Sequence, residues 1–226
     1  MIGAARRPDP IRMEALEPNE APPTFVLRGE PRGKARLVFL HGMCGHALGY
    51  AQSFQWSAAS KGTLVAPQGD RPCGKGPWAT WSADVAALDR RIVDAFQRLG
   101  DKPPIDDIVI MGYSLGATRA EALARKWPER YTRLVLLGAP KATSPQGLTS
   151  VRGAVMMAGE RDRQDQMKAG MRAFRAAGIP ATFIVIPEAT HGAMGPAPEQ
   201  TMGAALDWLW QHSRGDRQPS PDGSVD

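Results

Sequence analysis

A chain of 226 residues, 42% of them hydrophobic and 23% charged, can bury one sizeable core and has the composition of a soluble globular protein. Its formal net charge of +5 is carried by arginines scattered over predicted helix faces with no run of five or more like charges, which describes a solvated surface and argues against nucleic acid as a partner. No window approaches the roughly 18 apolar residues that cross a bilayer, so no membrane span is expected.

The N-terminal 19 residues carry Arg6 and Arg7 followed by prolines and acids rather than an apolar stretch, so they do not read as a signal peptide. The cytoplasm is therefore the default location. A periplasmic or secreted location follows if a leader has been removed and Cys44 and Cys73 are bonded. Both cysteines stand in Gly-rich loops just after predicted strands, and a disulfide between them is geometrically open if those strands are neighbours.

Residues 1–10 have little pattern and read as a loose terminus, ahead of one domain over 11–212. Residues 11–16 and 24–28 alternate apolar with polar and suggest a hairpin; 29–33 (Gly-Glu-Pro-Arg-Gly) is a turn by composition. A strand over 35–40 (Ala-Arg-Leu-Val-Phe-Leu) runs into His41-Gly42-Met43-Cys44-Gly45. A helix is expected over about 47–60, a short strand over 63–66, and a Gly/Pro-dense loop over 67–77. Trp81, Val85, Leu88, Ile92, Phe96 and Leu99 recur every three or four residues and mark the clearest helix, with Ser82 and Asp84 suited to its first turn and Gly100 to its end.

Residues 108–111 (Ile-Val-Ile-Met) read as a buried strand, and a helix over 114–127 is stopped by Pro128. Strands are expected over 133–137, 154–158 and 182–186. Met167, Met171 and Phe174 mark one helix, and Met202, Leu206, Leu209 and Trp210 another; these methionines read as core filler. Residues 213–226 read as a disordered tail. Strands alternating with helices imply βαβ units: an α/β domain with a mostly parallel sheet of about seven to eight strands and helices on both faces.

Reactive groups in such a sheet lie beyond the carboxyl ends of the strands. Gly112-Tyr113-Ser114-Leu115-Gly116 sits between a strand and a helix, the context in which a G-x-S-x-G elbow projects its serine from the sheet edge. After the strand at 154–158 come Gly159-Glu160-Arg161-Asp162, and after that at 182–186 come Pro187-Glu188-Ala189-Thr190-His191-Gly192. A serine, an acid and a histidine thus follow in the order that accompanies this elbow. Ser114 is the candidate nucleophile and His191 the candidate base, because a serine hydroxyl at its free pKa is a poor nucleophile. Glu160, Asp162 and Asp165 compete for the orienting acid, Asp165 falling where a helix would start. The residue after the nucleophile, Leu115, offers one backbone N–H to an oxyanion.

Taken together, the His-Gly motif after the third strand, Gly-Tyr-Ser-Leu-Gly and Ala-Thr-His-Gly-Ala resemble the α/β-hydrolase fold enzymes over about residues 24–210, in particular the small, capless esterase and dienelactone-hydrolase-like branch. The resemblance implies a single-domain α/β-hydrolase fold and a Ser114–His191–Asp162 triad, with Asp162 chosen because the Ala-Gly-Glu-Arg-Asp stretch matches the family's acid. It also implies a second oxyanion N–H from Met43 and a structural His41. The implied activity is that of a serine esterase or thioesterase acting on a small-molecule ester or thioester through an acyl-enzyme, with no cofactor and no metal. The same triad also serves peptidases, lactonases and perhydrolases, and a non-catalytic binding protein could keep the fold. The short spacing from Ser114 to Asp162 leaves no room for a large cap, so residues 70–81 and 141–149 are the expected walls of the site. Trp78 either stacks on substrate or packs on the core, and Tyr113 either touches substrate or packs under the elbow.

Overall fold

The computed structural model describes residues 12–17, 22–29 and 35–215. The loose terminus expected over 1–10, most of the 29–33 turn and the greater part of the 213–226 tail lie outside the described residues.

The chain runs β1 (Glu14–Ala15), β2 (Thr24–Leu27), β3 (Ala35–Leu40), α1 (Ala47–Gln52), α2 (Gln55–Lys61), β4 (Gly62–Pro67), β5 (Arg71–Pro72), β6 (Ala79–Thr80), α3 (Val85–Arg98), β7 (Ile108–Tyr113), α4 (Leu115–Lys126), β8 (Tyr131–Leu137), β9 (Gly153–Gly159), α5 (Asp165–Ala176), β10 (Ala181–Ile186) and α6 (Pro198–His212). Eight strands form one sheet in the order β1-β2-β4-β3-β7-β8-β9-β10. β1 and β2 form the expected antiparallel hairpin, β2 pairs antiparallel with β4, and every pairing from β4 to β10 is parallel.

Alternation along the central strands builds a core on each face. Val38, Leu40, Ile108, Ile110, Leu134, Leu136 and Met156 point to one side, where α3, α4 and α5 bring Leu88, Ile92, Phe96, Leu123 and Phe174. Leu37, Phe39, Val109, Met111, Val135, Leu137 and Met157 point to the other, where α1, α2 and α6 bring Ala51, Phe54, Ala58, Met202, Leu206 and Leu209. The result is one three-layer α/β domain. The connection from β8 to β9, residues 138–152, holds no helix or strand, so no cap is inserted there.

Three local expectations change. The helix expected over 47–60 is two helices, broken at Ser53 and Phe54. Phe54 leaves helical geometry at φ −133° and buries its ring edge-on against Phe39, 5.3 Å between centroids. The orphan N–H groups at the start of α2 are met from far away: the Glu199 carboxylate accepts from Trp56 N at 2.9 Å and Ser57 N at 2.8 Å. Trp81 is not on α3, which starts after the Asp84 cap. Its buried indole instead donates to His41 O at 2.7 Å. Within the 67–77 loop and just beyond it, β5 and β6 pair as a small separate hairpin.

α3 is pinned to the sheet by a buried polar cluster. Asp89 accepts from Arg130 Nη1 at 2.5 Å and from the Tyr131 hydroxyl at 2.7 Å, and burial with the neighbouring carboxylate holds the Tyr131 pKa well above its ordinary value. Asp89→Ala would leave a buried hydroxyl and a mostly buried guanidinium short of their acceptor, at a cost of about 3 kcal/mol. The check is a urea unfolding curve: the midpoint should drop with the slope unchanged.

Candidate active site

The elbow is shaped by backbone packing. Ser114 caps α4 at φ 51° and ψ −113°, left-handed geometry that costs a non-glycine residue of order 1–3 kcal/mol. A Cβ at Gly112 would run into the backbone of Gly116 and Ala117, and one at Gly116 into the carbonyls of Leu40 and His41 at the end of β3. The two glycines therefore serve different contacts. Gly112 lets the strand and the helix meet at the turn, and Gly116 lets α4 sit against the neighbouring strand. Ser114 N donates to Leu137 O at 2.8 Å, which ties the turn to β8 as well.

His191 Nε2 lies 3.1 Å from Ser114 Oγ, and His191 Nδ1 lies 2.8 Å from Asp162 Oδ2. With the carboxylate accepting from Nδ1–H, Nε2 carries its lone pair toward the serine. Asp162 is largely covered, its side chain 11% exposed against 51% for His191. Its other oxygen accepts from Arg163 N at 2.7 Å. The rival acids are engaged elsewhere: Glu160 accepts from Glu188 N at 2.8 Å, and Asp165 stands in the first turn of α5. The acid and histidine loops are laced together by Glu160 N to Ile186 O and Arg161 N to Ala189 O, both 2.9 Å. Gly138, at φ +52° just after β8, passes beside the pair; a Cβ there would lie 3.3 Å from both Asp162 Oδ2 and His191 Cε1.

Tyr113 packs under the elbow. It is 1% exposed, its ring stands edge-on to His191 at 5.7 Å, and its hydroxyl accepts from Gly192 N at 2.9 Å. Burial pushes its pKa up to about 12, so it stays a neutral phenol. Of the two roles expected for it, packing under the elbow is the one these contacts describe. Tyr50, which sequence reasoning missed, donates its hydroxyl to Gly192 O at 2.7 Å. An aromatic on a helix face carries no signal of such a contact.

Beside Ser114 runs the turn from Gly42 to Gly45, closed by Gly45 N to Gly42 O at 3.1 Å. A Cβ at Gly42 would lie 3.5 Å from that of Ser114, so the turn that carries Met43 abuts the serine. Leu115 begins α4, in the turn where helix N–H groups lack intrahelical acceptors. The Met43 side chain is exposed. A brace from the β5–β6 hairpin holds the turn: Cys44 and Cys73 form a disulfide with Cα atoms 5.3 Å apart, and Gly45 and Ala79 exchange two backbone bonds. Gln68, buried and unremarked in the sequence, donates to Gly45 O at 3.1 Å and Pro77 O at 2.9 Å and accepts from Ala47 N at 2.7 Å.

His41 sits beneath this turn. Nδ1–H donates to Gly42 O at 2.7 Å, Nε2 accepts from Gly69 N at 2.9 Å, and burial lowers the pKa from 6.5 to about 4. A folded pKa below the ordinary value means that the unfolded chain binds the extra proton first. The stabilisation is therefore complete above pH 6.5 and is lost as pH falls toward 4, to an extent of about 3 kcal/mol. Between pH 7 and pH 4 the native chain should lose that much more stability than His41→Asn, which does not titrate, in paired denaturation curves.

Trp78 does not pack on the core. It is 51% exposed on the hairpin and, with Pro77, His46, Tyr50 and Met194, lines a cleft of about 410 Å³, its ring edge-on to that of His46 at 6.2 Å. The other expected wall, residues 141–149, is held by α4 and α5, where Arg125 donates to Ser144 O and Gln146 O and Gln166 accepts from Ala142 N. Among the described residues no group of three or more His, Cys, Asp or Glu could hold a metal, and no helix is long and apolar enough to cross a membrane.

No protein-family model matches the chain, and no curated protein matches it by sequence. Solved structures do. A CIB-like hydrolase from Thermoplasma acidophilum is 16% identical at a TM-score of 0.62, over 88% of this chain and 97% of that one. The fluorophosphonate-binding serine hydrolase F of Staphylococcus aureus is 15% identical at 0.62, over 83% and 91%. A carboxylesterase of Bacillus subtilis is 16% identical at 0.61, over 88% and 92%. With the parallel sheet, its strand order and a serine elbow between β7 and α4, these likenesses identify the chain as having the α/β-hydrolase fold.

Proposed function

We propose that the protein is a serine hydrolase that cleaves a carboxylic ester or thioester. The observation that carries this reading is the unbroken run from Asp162 to His191 to Ser114, at 2.8 and 3.1 Å, joining three loops at one edge of the sheet. Both distances fall within the reach that proton transfer needs.

Ser114 Oγ attacks the substrate carbonyl carbon as its proton passes to His191 Nε2. The negative charge gathers on the former carbonyl oxygen, where the backbone N–H groups of Met43 and Leu115 stabilise it. Asp162 holds the ring in place and stabilises the imidazolium. The intermediate collapses when His191 returns the proton to the leaving oxygen or sulfur, which releases an alcohol or thiol and leaves the acyl group on Ser114. Water then repeats the sequence: its proton goes to His191, its oxygen to the acyl carbon, and the proton returns to Ser114 Oγ as the carboxylic acid departs.

The esterase among the fold's likenesses favours esters over amides as the first substrates to try. The Cys44–Cys73 disulfide favours an oxidising compartment over the cytoplasmic default. The direct test is a fluorophosphonate probe, which should label the native protein on Ser114, as located by peptide mass. A protein that takes no label, or takes it elsewhere, is not a Ser114 hydrolase. A panel of esters, thioesters, lactones and amides separates the reactions open to these residues.

A further inference from the structure

The cleft beside Trp78 adjoins the histidine loop. Tyr50, on one of its walls, donates its hydroxyl to Gly192 O next to His191, and Met194 belongs to the same loop. The lining is almost wholly carbon. Among the described residues no carboxylate, lysine or arginine is part of it, and His46 accepts from Gly49 N at Nδ1, with its pKa lowered by burial, which favours the uncharged ring. The part of the lining formed by Pro77 and Trp78 is fixed at its backbone: Trp78 O accepts from Cys73 N at 2.9 Å, Pro77 O accepts from Gln68, and the disulfide ties the hairpin to the Met43 turn. A half-exposed indole on a braced backbone is a contact surface ready before anything binds.

Proton delivery decides which half of the substrate reaches it. The leaving oxygen must come within hydrogen-bond reach of His191 Nε2, whereas the carbonyl oxygen must face the Met43 and Leu115 N–H groups. The substituent on the leaving oxygen therefore extends along the histidine loop, toward Tyr50 and Met194. Building on the hydrolase reading, we propose that the cleft of His46, Tyr50, Pro77, Trp78 and Met194 seats the alcohol half of the ester, and that this alcohol is uncharged and carries an aromatic or branched alkyl group.

The test compares methyl with benzyl acetate, which varies the alcohol, and methyl acetate with methyl phenylacetate, which varies the acyl group. In the native enzyme kcat/KM should favour benzyl over methyl acetate by about tenfold, since seating a ring on the indole is worth of order 1.4 kcal/mol. Trp78→Ala should erase most of that ratio and leave the acyl ratio where it was. A 4-carboxybenzyl acetate should lose the preference in the native enzyme, because the cleft offers its charge no partner. A flat alcohol profile in a protein whose Ser114 is labelled by fluorophosphonate would overturn this assignment alone. A Trp78→Ala effect confined to the acyl ratio would make the cleft an acyl site and overturn it too. Absence of both labelling and turnover would remove the hydrolase reading beneath it.

Discussion

Ser114→Ala is expected to lower kcat on p-nitrophenyl acetate by about 100,000-fold, because no other group stands where the acyl-enzyme would form. The fold should survive. The serine hydroxyl makes one side-chain bond, to His191, while the turn is held by backbone contacts from Ser114 N to Leu137 O and by the two glycines. Circular dichroism and the melting temperature should therefore match the native chain within a few degrees. Turnover that persists in a folded Ser114→Ala protein would take the nucleophile's role from this residue.

Asp162→Asn should cost about 10,000-fold in kcat. The amide keeps the volume and can still meet His191 Nδ1, but as a donor it selects the tautomer with the proton on Nε2, facing Ser114. That ring cannot accept the serine proton. Glu160→Gln and Asp165→Asn are the controls. The amide oxygen that Glu160→Gln introduces can still accept from Glu188 N, and Asp165 acts on the first turn of α5, worth a few tenths of a kcal/mol. Neither should move kcat by more than a few-fold. A large loss in Glu160→Gln and a small one in Asp162→Asn would reverse the assignment.

The parts of the site that were legible in the sequence are those written into strand ends. The elbow, the acid and the histidine each follow a short apolar run, and a parallel sheet must bring those ends to one edge. β7 runs two residues past the expected end because Gly112 and Tyr113 continue the ladder beside Leu136 and Leu137 before the turn begins. What stayed hidden depends on contacts between distant segments. The break between α1 and α2 relies on a carboxylate from α6, and β5 and β6 are too short for any periodicity, standing through a disulfide and Gln68. Trp81 fitted the helical stripe of α3 by spacing, yet its indole N–H is taken by His41 O. The disulfide could be framed only as a condition on neighbouring strands. β3 and β4 are neighbours, but the bond itself joins the turn after one to the hairpin after the other.

The contact between Tyr113 and Gly192 has a consequence for how the site keeps its geometry. Tyr113 is bonded covalently to Ser114, and Gly192 to His191. The phenol-to-amide bond at 2.9 Å and the imidazole-to-serine bond at 3.1 Å complete a closed ring through both residues. In such a ring Ser114 and His191 cannot drift apart independently, since a shift of the histidine loop pulls on the elbow through the tyrosine. Tyr50, gripping the carbonyl of the same glycine from α1, keeps the ring from tilting as a whole. An exposed histidine in the loop between β10 and α6 would otherwise sample many positions. Here two phenols restrict that freedom by holding Gly192, the residue next to His191, from both its N–H and its carbonyl.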